Sequence, residues 1–132
     1  MDNRFYRTEK EIREKMGECH IENNVIEDID IRIIAHFGNT VSLDLLCHNI
    51  RPLPLYNSTN NIGYIIRALI VLLGKEREDG INLSALKGTP IRIVFNGETK
   101  FSGKSVAIGH YMKDQFVLIE DLMKADTFFT RG

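Results

Sequence analysis

The sequence predicts an α+β domain in which an antiparallel sheet, made of a hairpin and a three-stranded meander, packs on one central apolar helix, with short helices at both ends. Three observations lead there. From Val25 apolar and polar residues alternate with a period of two, through Ile29 to Ile33 and Val41 to Cys47, and short apolar segments after residue 89 read as further strands. One run, Tyr64-Ile65-Ile66-Arg67-Ala68-Leu69-Ile70-Val71-Leu72-Leu73, is apolar almost all round and carries a single charge, Arg67. Gly and Asn residues suited to turns separate these segments.

Residues 1–20 read as a polar arm or a short helix. Thr8-Glu9-Lys10-Glu11 has the spacing of a capping box, in which the Thr hydroxyl and the Glu carboxylate each satisfy the other's backbone N–H. The helix would reach Met16, stop at Gly17 and bury only the stripe made by Ile12 and Met16. From Val25 the alternation Ile29-Asp30-Ile31-Arg32-Ile33 predicts a half-buried strand. Phe37-Gly38-Asn39 supplies a turn, and Val41, Leu43, Leu45 and Cys47 mark the returning strand. Residues 49–62 read as a long loop, because Pro52 and Pro54 cannot donate to a sheet ladder and Asn57-Ser58-Thr59-Asn60-Asn61 favours turns. Asn60 or Asn61 is placed to cap the apolar helix, and Gly74 to end it.

Residues 75–80 form a charged loop, and residues 83–88 one helical turn closed by glycine. Thr89 to Phe95, Lys104 to Gly109 and Gln115 to Ile119 then read as the three strands of the meander, with Asn96-Gly97 at the first turn. A short helix runs to Lys124. The organisation expected is therefore an arm at 1–20, a single domain at 21–124 and a tail at 125–132.

A chain of 132 residues, 43% hydrophobic and 27% charged, suits one domain with a core of its own. Cys19 and Cys47 make no disulfide framework and no four-ligand zinc set, so free, buried thiols in a reducing compartment are expected. No run approaches the length needed to span a bilayer, and Met1-Asp2-Asn3-Arg4 opens no signal peptide, which points to the cytoplasm. Seventeen basic against eighteen acidic residues give a net charge of −1, which supplies no field for long nucleic acid. The balance is uneven. Residues 1–30 hold five basic and nine acidic side chains, so an anion site is expected later in the chain.

Enzyme motifs are missing: no dinucleotide or phosphate-binding glycine loop, no His-Glu-x-x-His and no nucleophile elbow. His20, His36, His48 and His110 are scattered, so neither a catalytic set nor a metal site is expected, and no cofactor. The remaining features suit a small anionic ligand. Arg67 either snorkels to a carboxylate such as Asp44 or Asp30, or grips phosphate from the apolar helix. Arg92, between Ile91 and Ile93, points away from the core toward solvent, an interface or a ligand. Phe37, Tyr56, Tyr111 and Phe116 lie where they could stack on a base or, for Phe116 above all, fill the core.

Several blocks resemble a known family: Ile65-Ile66-Arg67-Ala68-Leu69 ending at Leu72-Leu73-Gly74, Leu86-Lys87-Gly88-Thr89-Pro90-Ile91-Arg92-Ile93, and Val106-Ala107-Ile108-Gly109-His110-Tyr111-Met112-Lys113-Asp114-Gln115-Phe116. With Ile34-Ala35-His36-Phe37-Gly38 upstream, their order over residues 21–119 is similar to a small family common in bacteriophage genomes, the first-described class of phage Thoeris anti-defence proteins. The resemblance implies a non-enzymatic sponge, acting in the cytoplasm of the infected host. It would bind a cyclic ADP-ribose-type immune signal without cleaving it, and some members also hold cyclic oligonucleotides. It also implies a homo-oligomer with pockets near subunit interfaces.

Three places depart from the family's pattern. Cys47-His48-Asn49-Ile50-Arg51-Pro52 replaces a Gly-rich stretch, Ala68 replaces a second arginine, and Gln115-Phe116 replaces an aromatic pair. In such a sponge Arg67 and Arg92 would hold phosphates, with His110 and Lys113 as auxiliaries. Phe37 and Tyr56 would stack on bases, and Asn39 or Asp114 would meet ribose hydroxyls or base edges. The competing reading is a phage inhibitor, anti-CRISPR-like, that binds a host defence protein through the acidic stretch from Glu18 to Asp30. A signal-degrading phosphodiesterase would need a base or metal that the sequence does not display.

Overall fold

The computed structural model describes residues 6–34, 40–58, 62–75, 83–99 and 103–123, with backbone alone at 33–34, 40–41, 56–58, 62–64 and 83. In chain order the elements are α1 (Glu9–Met16), β1 (Cys19–Ile34), β2 (Thr40–Cys47), β3 (Leu53–Ser58), α2 (Ile62–Leu72), a 3-10 turn (Leu83–Leu86), β4 (Pro90–Asn96), β5 (Lys104–His110), β6 (Phe116–Leu118) and α3 (Ile119–Leu122). The strands form one antiparallel sheet in the order β3-β2-β1-β4-β5-β6.

The capping box at Thr8 is formed: its hydroxyl accepts from the Glu11 N–H, and the Glu11 carboxylate accepts from the Thr8 N–H. That pairing holds the Glu11 carboxyl below its usual range. Gly17, at φ +80°, ends the helix where an L side chain would be strained. α2 ends in a Schellman arrangement, with the Lys75 N–H donating to Ile70 O at 2.9 Å and the Gly74 N–H to Val71 O at 3.2 Å. Asn60 and Asn61, the expected caps of α2, lie outside the described residues.

β1 is longer than the alternation after Val25 suggested. It begins at Cys19 because Cys19-His20-Ile21-Glu22 already alternates, and its partner changes along its length. Residues from Cys19 to Val25 pair with β4, and residues from Ile26 to Ile34 pair with β2, with a bulge between Ile26 and Asp28. At the crossover the Ile26 N–H donates to Thr89 O and its carbonyl accepts from the Gly88 N–H.

The loop expected at 49–62 is corrected: residues 53–58 are an edge strand, β3. An edge strand directs alternate N–H groups to solvent, so Pro54 fits without breaking the ladder, while Leu53 and Leu55 are buried. The meander β4-β5-β6 has the expected order, and its far edge is closed by Arg7, which exchanges two 2.7 Å backbone hydrogen bonds with Phe116.

Buried side chains lie on both sides of the sheet. The larger cluster contains Ile26, Leu43, Leu45, Leu53, Leu55, Ile91, Ile93 and Ile108 together with Ile65, Ile66, Ala68, Leu69 and Leu72 of α2. The smaller one, on the other side, holds Ile12 of α1 with Cys19, Val94, Ala107, Phe116 and Leu118. Both cysteines are free and buried, and burial pushes the Cys47 thiol up to about 12.

Candidate ligand-binding site

Four of the residues singled out from the sequence, Arg92, His110, Lys113 and Asp114, come together at the turn joining β5 to β6. The register explains why. Asn23, Arg92, Gly109 and Phe116 stand opposite one another on successive strands, so their side-chain positions share the side of the sheet that faces α1. Gly109 leaves room for the Phe116 ring, since a Cβ there would lie 2.3 Å from Phe116 Cδ1. The Arg92 guanidinium sits 4.6 Å from the centre of that ring.

Arg92 is also hydrogen-bonded to the turn. Its Nε–H donates to the His110 carbonyl at 2.8 Å, and a terminal N–H donates to the Lys113 carbonyl at 2.7 Å. His110 Nδ1 accepts from the Met112 and Lys113 N–H groups, both at 3.0 Å, which requires Nδ1 to be unprotonated. Partial burial, followed by the charges of Lys113 and Arg92, lowers the His110 pKa. Asp114 accepts from the Glu9 N–H at 2.7 Å and so ties the turn to the start of α1. Above this framework stand Tyr111 and Met112, 45% and 82% exposed. Phe116 itself is fully buried and belongs to the core.

The turn therefore has fixed polar groups inside and an aromatic, a thioether and the Lys113 ammonium outside. Its chemistry suits contact with an anion or a flat ring, through Lys113, Tyr111 and the positive potential of Arg92.

The remaining expected residues are elsewhere. Arg67 is exposed on α2, whose buried residues join the cluster on the opposite side of the sheet from Arg92, so the two arginines do not share the enclosed site pictured from the sequence. Asp30 and Asp44, offered as partners for Arg67, are held by Arg32, at 3.4 and 2.8 Å. Phe37 and Asn39 lie outside the described residues, as does His36, and Tyr56 is described only as backbone in β3.

Two other polar groupings were not anticipated. Ser42 and Asp44 are 3% and 5% exposed, and the Ser42 hydroxyl donates to Asp44 Oδ1 at 2.9 Å. Counting back from the hairpin turn places Asp30 opposite Asp44 and Arg32 opposite Ser42, a signal the sequence already carried. A cleft of about 340 Å³ lies beside Glu22, Asn23, Asn24, Val25, His48 and Asn49. There the Asn24 amide pairs with the His48 backbone like a strand residue, donating at 3.0 Å and accepting at 2.9 Å.

His20 and His48 face Glu22 and Glu27 separately, and no group of three metal-ligating side chains occurs among the described residues. None of the described helices is long and apolar enough to cross a membrane. No protein-family model, no curated protein and no solved structure matches this chain.

Proposed function

We propose that the protein is a non-catalytic binding protein that retains a small phosphate-bearing nucleotide, of the cyclic ADP-ribose or cyclic oligonucleotide type, and so removes an immune signal from its effector. This is the phage anti-defence role, in the cytoplasm of an infected host, that the sequence resemblance implies. In this reading the sheet closes on α2 as its central apolar helix. The chain acts as a homo-oligomer, in which Arg67 of a neighbouring subunit reaches the pocket and Phe37, Asn39 and Tyr56 complete it.

The observation that carries the reading is the β5–β6 turn. A sponge must be organised before its ligand arrives, because loop ordering would otherwise subtract from affinity. Here the Arg92 bonds to two carbonyls and the two N–H donors on His110 Nδ1 hold the turn in one shape. Lys113 and Tyr111 then face outward as cation and stacking surface. Arg92 and His110 serve as positioning residues, and Lys113 is the contact to phosphate.

A thermal-shift screen against cyclic ADP-ribose isomers, cyclic dinucleotides, cyclic trinucleotides, ADP-ribose and NAD tests this. A stabilising nucleotide that is recovered intact after heating the complex, and whose shift falls in Lys113→Ala and Tyr111→Ala, is the expected result. A chemically altered product would make the chain an enzyme, and no shift with any nucleotide would sink the proposal.

Direct docking on a host defence protein has one observation in its favour. Met112 and Tyr111 form an adjacent exposed apolar pair of the kind that anchors protein interfaces. The acidic stretch from Glu18 to Asp30 supports it less, because Glu22, Asp28 and Asp30 are engaged with His20, Lys87 and Arg32. Capture of one host protein that is lost in Met112→Asp would favour this second reading.

A further inference from the structure

β4 pairs with β1 only from Cys19 to Val25, after which the Gly88–Thr89 backbone covers Ile26 and Lys87 reaches Asp28 at 3.2 Å. Past Asp28, β1 keeps its ladder with β2 to Ile34 on one side, while no described strand pairs with it on the other. Half of the N–H and C=O groups of a strand point to each side, so this stretch carries a row of backbone donors and acceptors facing away from β2. Ile31, 41% exposed, lies on the same side of the sheet as Leu43, and Asp30 and Arg32 lie on the other.

We propose that this edge pairs with the same edge of a second copy of the chain, antiparallel about a two-fold axis through Ile31. The side-chain order selects both the occupant and the register. With Ile31 opposite Ile31, Asp30 meets Arg32 of the partner subunit, Arg32 meets the partner subunit's Asp30, and residue 29 meets residue 33. Opposed residues in an antiparallel pair share a face, so the apolar contact and the two ion pairs fall on opposite sides. Centring the pairing on residue 30 or 32 would oppose two aspartates or two arginines. A shift of half a residue pair would set Ile31 against a charge. The result is a continuous sheet, β3-β2-β1 joined to β1-β2-β3, in which an edge that no described strand pairs is met by the groups of another copy.

The inference does not depend on the ligand. Five residues of edge and one apolar contact make a weak dimer, so it should be sought by sedimentation at up to about 500 µM. Asp30→Lys is the discriminating variant. Within its own chain residue 30 stands opposite Asp44 and beside Arg32, so a lysine there gains an attraction to Asp44 as it loses the exposed, screened pair with Arg32 and the fold survives, whereas across the dimer it opposes Arg32 twice. We expect dissociation to rise by about tenfold or more in Asp30→Lys at an unchanged melting temperature, and to return toward the starting value in Asp30→Lys/Arg32→Asp. A wild-type chain that stays monomeric throughout that range overturns the proposal. So does a dimer indifferent to Asp30→Lys, or a folded double variant that stays as weak as the single.

Discussion

On one side of the sheet, the two halves of β1 treat an arginine in opposite ways. Beside the amino-terminal half, Arg92 lies on the α1 side of the sheet, stacked on a buried ring and hydrogen-bonded to two carbonyls that carry no net charge. In the carboxyl-terminal half, Arg32 has a side chain 66% exposed and is matched to two carboxylates, Asp30 and Asp44. The difference teaches where each charge remains available. An arginine spent on carbonyls keeps its positive charge and lends it to its surroundings, which is why it helps to lower the His110 pKa. An arginine facing two carboxylates is locally cancelled, and its stretch of sheet offers register rather than potential.

The largest expected effect breaks the first arrangement. Gly109→Ala sets a Cβ 2.3 Å from Phe116 Cδ1 and 2.4 Å from Cε1, against a ring that is itself fully buried. The ring must move, and Arg92 loses its stacking partner with it. Overpacking of this kind costs about 1–3 kcal/mol, and the coupled loss of the Arg92 contact puts the expectation at the upper end. Urea unfolding would read it as a lower midpoint at constant slope, whereas unchanged stability would mean that the ring and the glycine are not in contact.

The second half is expected to be softer. Arg32→Gln removes the cation from Asp44 but leaves the Ser42 hydroxyl bond in place. Because Arg32 is largely exposed, its ion pairs are screened, and the loss should be about 1 kcal/mol rather than the several seen for enclosed pairs. Salt dependence sharpens the comparison. Added salt should reduce the difference between Arg32→Gln and wild type, and should leave the Gly109→Ala difference unchanged.

Much of this contrast was legible in the sequence, and its failures have physical causes. The capping box at Thr8 and Glu11, the hairpin after Ile29 and the meander follow from local chemistry and period. β3 was hidden because Pro54 argues against a strand everywhere except on an edge, and edge position is a property of the whole sheet. The change of β1's partner at Ile26 was hidden for the same reason. Arg92, His110, Lys113 and Asp114 could be named from residue type, but their division into inward and outward groups depends on Gly109 lying opposite Phe116. Arg67 and Arg92 fall on opposite sides of the sheet within one chain, which was not legible because spacing along a chain does not say which side of a sheet a helix covers.

The smallest effect concerns His110 and is visible only against pH. Its Nδ1 accepts two N–H groups, so the turn requires the neutral ring, and burial together with Lys113 and Arg92 lowers the folded pKa below the ordinary histidine value of about 6.5. The sign follows directly. A lowered folded pKa means the unfolded chain binds the proton more readily, so the contribution of His110 is complete above about pH 6.5 and fades as pH falls through the lowered folded value. Asparagine offers a carbonyl oxygen as a substitute acceptor and does not titrate. His110→Asn should therefore fold at neutral pH and lose the part of the acid-side decline in melting temperature that belongs to this ring. The Met112 and Lys113 amides should exchange faster in wild type than in His110→Asn once pH falls below that range. Equal pH profiles for the two proteins would mean that Nδ1 is not the acceptor that shapes the turn, and the outward display of Tyr111 and Lys113 would then need another support.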